Sequence, residues 1–154
     1  MGEDLLPVAE ALARLARATS PKQAFLRRAV STAYYAVFQT LAGRCANAFV
    51  TVSGSDAETY VLVYRGLDHA SARKAFEARD IEAAFGQDIA LLTSLFLDLQ
   101  QARVSADYIP RGFPFSQAEV EDLIALARDA CEIIDNAPLR QMRRLAAQLI
   151  IKRR

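Results

Sequence analysis

Several residue types that carry common protein chemistry are scarce in this chain. Its 154 residues include no tryptophan, two cysteines and a single histidine, His69. One histidine excludes a histidine-rich metal site and any catalytic group that needs two histidines from one chain. The two cysteines, Cys45 and Cys131, lack the spacing of a metal or redox motif, so we expect both to be buried, reduced thiols.

Net charge and long apolar runs are also lacking. The formal charge of +1 excludes electrostatic attraction of the whole molecule to nucleic acid and leaves any such role to a local patch. Glu3 and Asp4 stand where a signal peptide needs positive charge. No uncharged run is long and apolar enough to span a bilayer. We therefore expect a cytoplasmic protein outside the membrane, with neither cofactor nor metal.

Helical periodicity is what the sequence does contain, across one domain of residues 1–154. Apolar residues recur at helical spacing, beginning with Leu5, Val8, Leu12 and Leu15, and we find no convincing strand. The predicted helices cover about 4–18, 20–41, 55–65, 88–106, 116–136 and 138–152, with one or two short helices within 67–85. The expected fold is all-α, an antiparallel bundle of four to five main helices plus short ones.

The segment Ser20–Leu41 is predicted to be the central helix. It is uncharged from Ala29 onwards and apolar over most of its circumference, which is typical of a helix buried on several sides. A capping box beginning at Ser20 marks its start, and similar boxes begin at Ser55 and Ser116.

Two short runs could carry chemistry. Arg28, Ser31 and Tyr35 form a polar stripe on the central helix, at positions i, i+3 and i+7. Later in the chain, Arg103 and Asp107 are four residues apart at a helix end and could form a local ion pair. Alternatively, Arg103 could hold a phosphate through paired hydrogen bonds that a lysine could not match.

These two runs together resemble the HEPN family. RAVSTAYYAVF occupies 28–38, and RVSADY follows about seventy residues later at 103–108. They are similar to the small stand-alone prokaryotic branch with an AYYAxF helix and an RxxADY run, over most of residues 20–135. The resemblance implies a helical bundle that is usually a homodimer. It also implies a metal-independent ribonuclease, often a toxin paired with a nucleotidyltransferase-type antitoxin.

The catalytic signature of that family is an arginine, a short spacer and a histidine. Arg103 matches the arginine, but Tyr108 stands where the histidine is expected, and the residue after the arginine is apolar. A tyrosine with an ordinary pKa of about 10 is a poor base near neutral pH. Tyr108 could still donate a proton, bind phosphate or stack on a base. Ser105 and Asp107 could replace part of the lost chemistry.

Three further residues have open alternatives. His69 could fold over the Arg103 region and act as the missing base, or it could be a helix cap or a surface residue. By resemblance, Arg28 and Tyr35 are possible pocket residues, together with Ser31 between them. In the alternative, Arg28 pairs with a carboxylate such as that of Asp107, and the tyrosines are core residues with satisfied hydroxyl groups.

The end of the chain is basic. It could contact RNA phosphates, or it could serve helix stability and solubility. The basic residues are Arg140, Arg143, Arg144, Lys152, Arg153 and Arg154.

Two functions are therefore expected as alternatives. The first is an RNA-directed HEPN-like dimer that could act as a ribonuclease, in which Arg103 contacts the scissile phosphate and Tyr108 or His69 assists. The second is a non-catalytic module that binds a protein partner, such as a nucleotidyltransferase, or a nucleotide.

Overall fold

The computed structural model describes residues 2, 4–50, 57–78 and 80–150 of the chain. Eight α-helices and no strand occur in these ranges, which confirms the all-α prediction of a helical bundle. None of these helices combines the length and apolar character needed to cross a membrane. The helices are α1 (Leu5–Ala18), α2 (Lys22–Phe49), α3 (Ala57–Gly66), α4 (His69–Phe76), α5 (Asp80–Phe85), α6 (Gln87–Tyr108), α7 (Gln117–Asn136) and α8 (Leu139–Ile150).

The central position of α2 is confirmed. It packs against α1, α3, α6, α7 and α8, and its buried residues point to all sides of the helix. Ala29, Ala33 and Ala36 have no exposed surface, and their small side chains let the neighbouring helix backbones approach closely. The polar side chains of α2 that face these neighbours cannot reach water, so each of them needs a partner from a neighbouring helix.

Of the capping boxes predicted at helix starts, one is confirmed by the structure and one is wrong. Ser116 begins α7 with the predicted capping box, in which its side chain and that of Glu119 bond each other's backbone N–H groups. The predicted box at Ser20 is wrong. Pro21 takes the N-cap position of α2 in an extended conformation, and no side chain caps the helix. The box predicted at Ser55 and the end of the last helix lie outside the described residues.

The apolar residues whose spacing predicts α1 do not form the face that α1 buries most deeply. Val8 and Leu15 are 47% and 46% exposed, whereas Leu5 and Leu12 are only partly buried against the core. The fully packed face lies one residue further along the helix. Small side chains dominate it because α1 lies close to α2. The residues of that face are Leu6, Ala9, Ala13 and Ala16.

Arg44 fastens α2 to the C-terminal end of α7. Its guanidinium donates hydrogen bonds to the carbonyl oxygens of Ile134, Asp135 and Ala137, at 3.2, 3.1 and 2.9 Å. Carbonyl groups at a helix end have no partner within the helix and carry partial negative charge, so a cation there is favourable. Arg44 therefore has a structural role.

Both cysteines are buried and free, as predicted. Burial raises the pKa of the Cys45 thiol to about 12, which leaves it protonated and unreactive at neutral pH. Cys131 donates a weak hydrogen bond to the hydroxyl of Thr40 at 3.6 Å, linking α7 to α2.

The packing of α1 gives a prediction about stability. Ala13→Leu inserts three heavy atoms into a site with 2% exposure, and we expect a loss of about 1–3 kcal/mol in the free energy of unfolding. Leu15→Ala removes a half-exposed side chain and should cost less than about 1 kcal/mol. Urea unfolding followed by circular dichroism measures both. A larger loss in Leu15→Ala than in Ala13→Leu would contradict the observed face of α1.

Candidate functional site

The last two turns of α6 meet the first half of α2 in a cluster of polar side chains. Ser31 donates a hydrogen bond of 2.5 Å to Oδ1 of Asp107. The other carboxylate oxygen of Asp107 lies 2.7 Å from Nε of Arg103. Arg103 also donates from Nη2 to the hydroxyl of Tyr35 at 3.0 Å. Four residues singled out in the sequence are therefore brought together in one connected group.

Arg103 is the centre of this group. Its side chain is 16% exposed, and Cζ lies 5.5 Å from the ring centre of Tyr35 and 5.4 Å from that of Tyr108. The Nε contact with Asp107 is an ion pair without hydrogen-bond alignment. Nη1 has no hydrogen-bond partner among the described residues. One terminal nitrogen of this guanidinium is therefore free to bind an anion.

The charge of Arg103 is permanent. Burial works to lower the pKa of Arg103, but the hydrogen bond with Tyr35 and the negative charge of Asp107 outweigh burial and raise the pKa above its ordinary value. A guanidinium flanked by two aromatic rings also gains a cation–π contribution from each of them. The site therefore presents a fixed cation between two rings.

Tyr108 is the last residue of α6, and its side chain is 68% exposed. Its ring contacts Arg103, and its hydroxyl has no hydrogen-bond partner among the described residues. No neighbouring group is in place to take the phenol proton, so nothing in the geometry equips Tyr108 as a base. An exposed ring beside a cation is well suited to stacking on a nucleobase.

His69 is neither a cap nor a fully exposed residue. Asp68 is the N-cap of α4 and accepts hydrogen bonds from the backbone and hydroxyl of Ser71, at 2.8 and 2.6 Å. His69 follows it with a half-buried side chain, and its Nδ1 lies 2.7 Å from the hydroxyl of Tyr34. Its ring centre is 4.0 Å from that of Phe38.

The position of His69 places it beside the Arg103 cluster. The ring centres of His69 and Tyr35 are 5.6 Å apart, and Arg103 donates a hydrogen bond to the hydroxyl of the same Tyr35. Burial lowers the pKa of His69, and the positive charge of Arg103 lowers it further, against the opposing effect of Asp68. His69 is therefore neutral near pH 7 and lies within the same polar region.

Two residues predicted for the site make no bond in it. Arg28 is exposed, and it does not pair with Asp107, whose partners are Ser31 and Arg103. The Ser105 side chain is half-buried and makes no hydrogen bond among the described residues, although the Ser105 carbonyl accepts one from Ile109 at 3.3 Å.

The arginine that contacts α6 beside the site is Arg27, whereas the sequence indicates Arg28. Its Nη1 donates to the carbonyl of Ala106 at 2.8 Å, and Cζ lies 5.0 Å from the ring centre of Phe113. Arg27 thus binds the C-terminal end of α6 and orders the loop that follows the site. Arg27 and Arg28 are adjacent in the sequence, and no local pattern distinguishes the two.

The basic end of the chain lies apart from this cluster where the structure describes it. Arg143 donates to the carbonyl of Ala48 near the end of α2, at 2.9 Å, and Cζ of Arg144 lies 5.2 Å from the ring centre of Phe85. Both have structural partners, whereas Arg140 is exposed. Residues 151–154 lie outside the described part of the chain.

A separate cavity of about 490 Å³ lies between α2 and α3, and neither Arg103 nor His69 lines it. Its walls include Asn47, Tyr60 and Tyr64. Within the described ranges, no group of three histidine, cysteine or carboxylate side chains is placed to hold a metal ion.

Comparisons of this chain with models of protein families, with curated proteins and with solved structures found no match. The chemistry available at the site is therefore that of its own residues. They supply a permanent cation with a free N–H, a carboxylate, two flanking tyrosine rings and a neutral imidazole.

The environment of His69 predicts a change of stability with pH. The folded protein holds the pKa of His69 below the unfolded value of about 6.5, so the unfolded chain binds a proton first as the pH falls. The contribution of this residue to the free energy of unfolding is fully present above about pH 6.5 and is lost as the pH falls below the unfolded pKa. His69→Gln should remove that part of the pH dependence. Urea unfolding at several pH values between 5 and 7.5 measures it, and equal slopes in the two proteins would contradict the buried, neutral state of His69.

Proposed function

We propose that this chain is an RNA-directed protein of the HEPN type, which binds a backbone phosphate of single-stranded RNA at Arg103. The observation that carries the proposal is the setting of Arg103. It is a partly exposed, permanently charged guanidinium with a free Nη1, held between the rings of Tyr35 and Tyr108. Arginine binds phosphate through two parallel N–H groups in a fixed plane, and the positioning of this side chain by Tyr35 reduces the entropy lost on binding.

The second part of the proposed interaction is stacking on Tyr108. Proteins that bind single-stranded RNA combine cations for the backbone with aromatic rings for the unstacked bases. Tyr108 and Arg103 provide one of each within 5.4 Å. A nucleotide whose phosphate lies on Arg103 would place a neighbouring base over the exposed ring of Tyr108.

Asp107 limits the strength of that interaction. Its carboxylate already partly neutralises Arg103, so an incoming phosphate competes with it for the guanidinium. The hydrogen bond from Ser31 offsets this, because it retains a partner for Asp107 when Arg103 turns towards phosphate. We therefore expect affinity that depends on several contacts along the RNA and falls with salt.

Cleavage without a metal ion is the catalytic form of the proposal. In such a reaction the RNA 2′-hydroxyl attacks the adjacent phosphate and the bond from phosphorus to the 5′-oxygen breaks, which gives a 2′,3′-cyclic phosphate and a 5′-hydroxyl that takes its proton from water. Arg103 would stabilise the negative charge that develops on the phosphate oxygens. Asp107 is the carboxylate beside Arg103 and would accept the hydroxyl proton. Carboxylates are weaker bases than imidazole, so cleavage by this site would be slow.

The alternative is a non-catalytic module of the same type, which binds a protein such as a nucleotidyltransferase, a second copy of itself, or a nucleotide. The observation that favours it is the apolar surface of α3, where Val61 and Leu62 are exposed and no residue is buried. The cavity between α2 and α3 would be the place for a nucleotide. This alternative predicts partner binding without RNA cleavage.

A test of Arg103 decides between these functions. We expect Arg103→Ala to weaken binding of a short single-stranded RNA about 10–100-fold, because a charge-assisted hydrogen bond to phosphate is lost. Arg103→Lys should recover only part of the affinity, since lysine lacks the planar fork. Fluorescence anisotropy measures binding, and gel electrophoresis in the presence of EDTA measures cleavage.

The matched control is Arg17→Ala, which removes an exposed arginine of α1 that pairs with Glu121 on α7 and, among the described residues, makes no contact with the Arg103 cluster. It should bind RNA as the wild type does. Absence of both binding and cleavage in the wild type overturns the RNA-directed proposal. Equal affinities for wild type and Arg103→Ala overturn the site assignment, and binding without cleavage leaves the non-catalytic form.

Two substitutions at Tyr108 separate stacking from chemistry. If the ring stacks on a base, Tyr108→Ala should weaken RNA binding by about 1–3 kcal/mol while Tyr108→Phe keeps the wild-type affinity. If Tyr108→Phe binds normally but cleaves as slowly as Tyr108→Ala, the hydroxyl group takes part in the reaction. Equal affinity in all three proteins would show that the ring does not contact RNA.

A further inference from the structure

A chain of three side chains connects α6, α2 and α4 beneath the Arg103 cluster. Nε2 of Gln100 donates to the backbone carbonyl of His69 at 2.9 Å and lies 3.4 Å from the hydroxyl of Tyr34. The same hydroxyl lies 2.7 Å from Nδ1 of His69. The orientation of the Gln100 amide is fixed, because the opposite orientation would place its oxygen against the carbonyl oxygen of His69.

The hydroxyl of Tyr34 has one proton to donate. Tyr34 is completely buried, and burial raises its pKa well above the ordinary value, so the phenol is protonated at neutral pH. Its oxygen already faces an N–H group of Gln100. The phenol proton is therefore directed towards the nearer partner, Nδ1 of His69. A neutral imidazole that accepts at Nδ1 carries its own proton on Nε2.

We propose that Tyr34 and Gln100 hold His69 as the neutral Nε2–H form, so that His69 donates a hydrogen bond to the phosphate bound at Arg103. The role towards phosphate rests on the proposed function, whereas the protonation state of the ring does not. This differs from the sequence-based hypothesis that His69 is a base, because a base needs a free electron pair on the exposed nitrogen. Tyr34 and Gln100 act as positioning residues in this arrangement.

The surroundings of His69 support a fixed, neutral ring. Phe38 packs against it at 4.0 Å between ring centres, which restricts its rotation. The charged and titratable groups that face it are Asp68 on its own helix, Tyr34 and Tyr35 on α2, and Arg103 on α6. Arg103 disfavours a second positive charge nearby. His69 and Arg103 both contact the ring of Tyr35, so in the proposed arrangement a phosphate bound at Arg103 would lie beside the imidazole.

Nitrogen-15 NMR of the full chain tests the protonation state directly. His69 is the single histidine of the sequence, so its two ring nitrogens are assigned without ambiguity. At pH 7.5 we expect Nε2 to show the chemical shift of a protonated nitrogen and Nδ1 that of an acceptor. A ring that is mainly protonated on Nδ1, or a near-equal mixture, overturns the proposal.

Two variants test the positioning residues. Tyr34→Phe removes the donor to Nδ1 and should shift the ring towards a mixture of the two neutral forms. Gln100→Leu removes the N–H group that directs the phenol proton, and it should weaken the preference for the Nε2–H form. This variant replaces Tyr34→Phe as the test if Tyr34→Phe proves too unstable to measure. Circular dichroism verifies the fold of both. An unchanged preference in a folded variant shows that its residue does not position the ring.

Adding a short single-stranded RNA at low salt tests the role of His69 as a donor. We expect the Nε2–H signal to shift, and His69→Gln to bind RNA about two- to tenfold more weakly. If RNA binds and depends on Arg103 while the Nε2–H signal stays unchanged, the donor role is wrong and the proposed function stands. If no RNA binds, both are wrong, whatever the protonation state of the ring.

Discussion

The organisation of this protein depends on one constraint: the polar groups that are buried on α2 must find hydrogen-bond partners on the neighbouring helices. Burying a hydroxyl without a partner costs on the order of 1–3 kcal/mol, so the neighbouring helices must bring donors and acceptors to fixed positions. The carboxylate of Asp107 on α6 meets Ser31, and the imidazole of His69 on α4 meets Tyr34. Cys131 on α7 donates to Thr40. These hydrogen bonds thus link three helices to α2.

The same constraint produces the candidate site. Asp107 is held by Ser31 at one oxygen and presents the other to Arg103, which in turn is positioned by Tyr35. The cluster lies near the surface, where α6 ends and the loop with Phe113 begins, so a ligand can reach it. The side chains that link α6 to α2 are therefore also those of the candidate site. A substitution such as Ser31→Ala would affect the position of Asp107 as well as the docking of α6.

Much of the fold could be predicted from the sequence, because its signals are local. The capping box at Ser116 and the uncharged stretch of α2 depend only on nearby residues. The structure confirms the capping box and the burial of α2. The face of α1 depends on how closely another helix approaches, and its leucine spacing therefore did not reveal that the alanines pack most tightly. Most of the site could also be predicted from the sequence, since Arg103 and Asp107 lie one helical turn apart. The pairing of Tyr34 with His69 joins distant segments that no local pattern relates. The choice of Arg27 over Arg28 depends on a rotation of about 100° around α2.

The measurement that tests the central claim most directly is an NMR titration of the isotope-labelled protein with a short single-stranded RNA at low salt. The account predicts that the largest changes occur at the Arg103 side-chain Nε–H and at the backbone amides of residues 103–108, with smaller changes along α8. Changes confined to α8 around Arg140, with the Arg103 signal unmoved, would contradict it, as would the absence of any change.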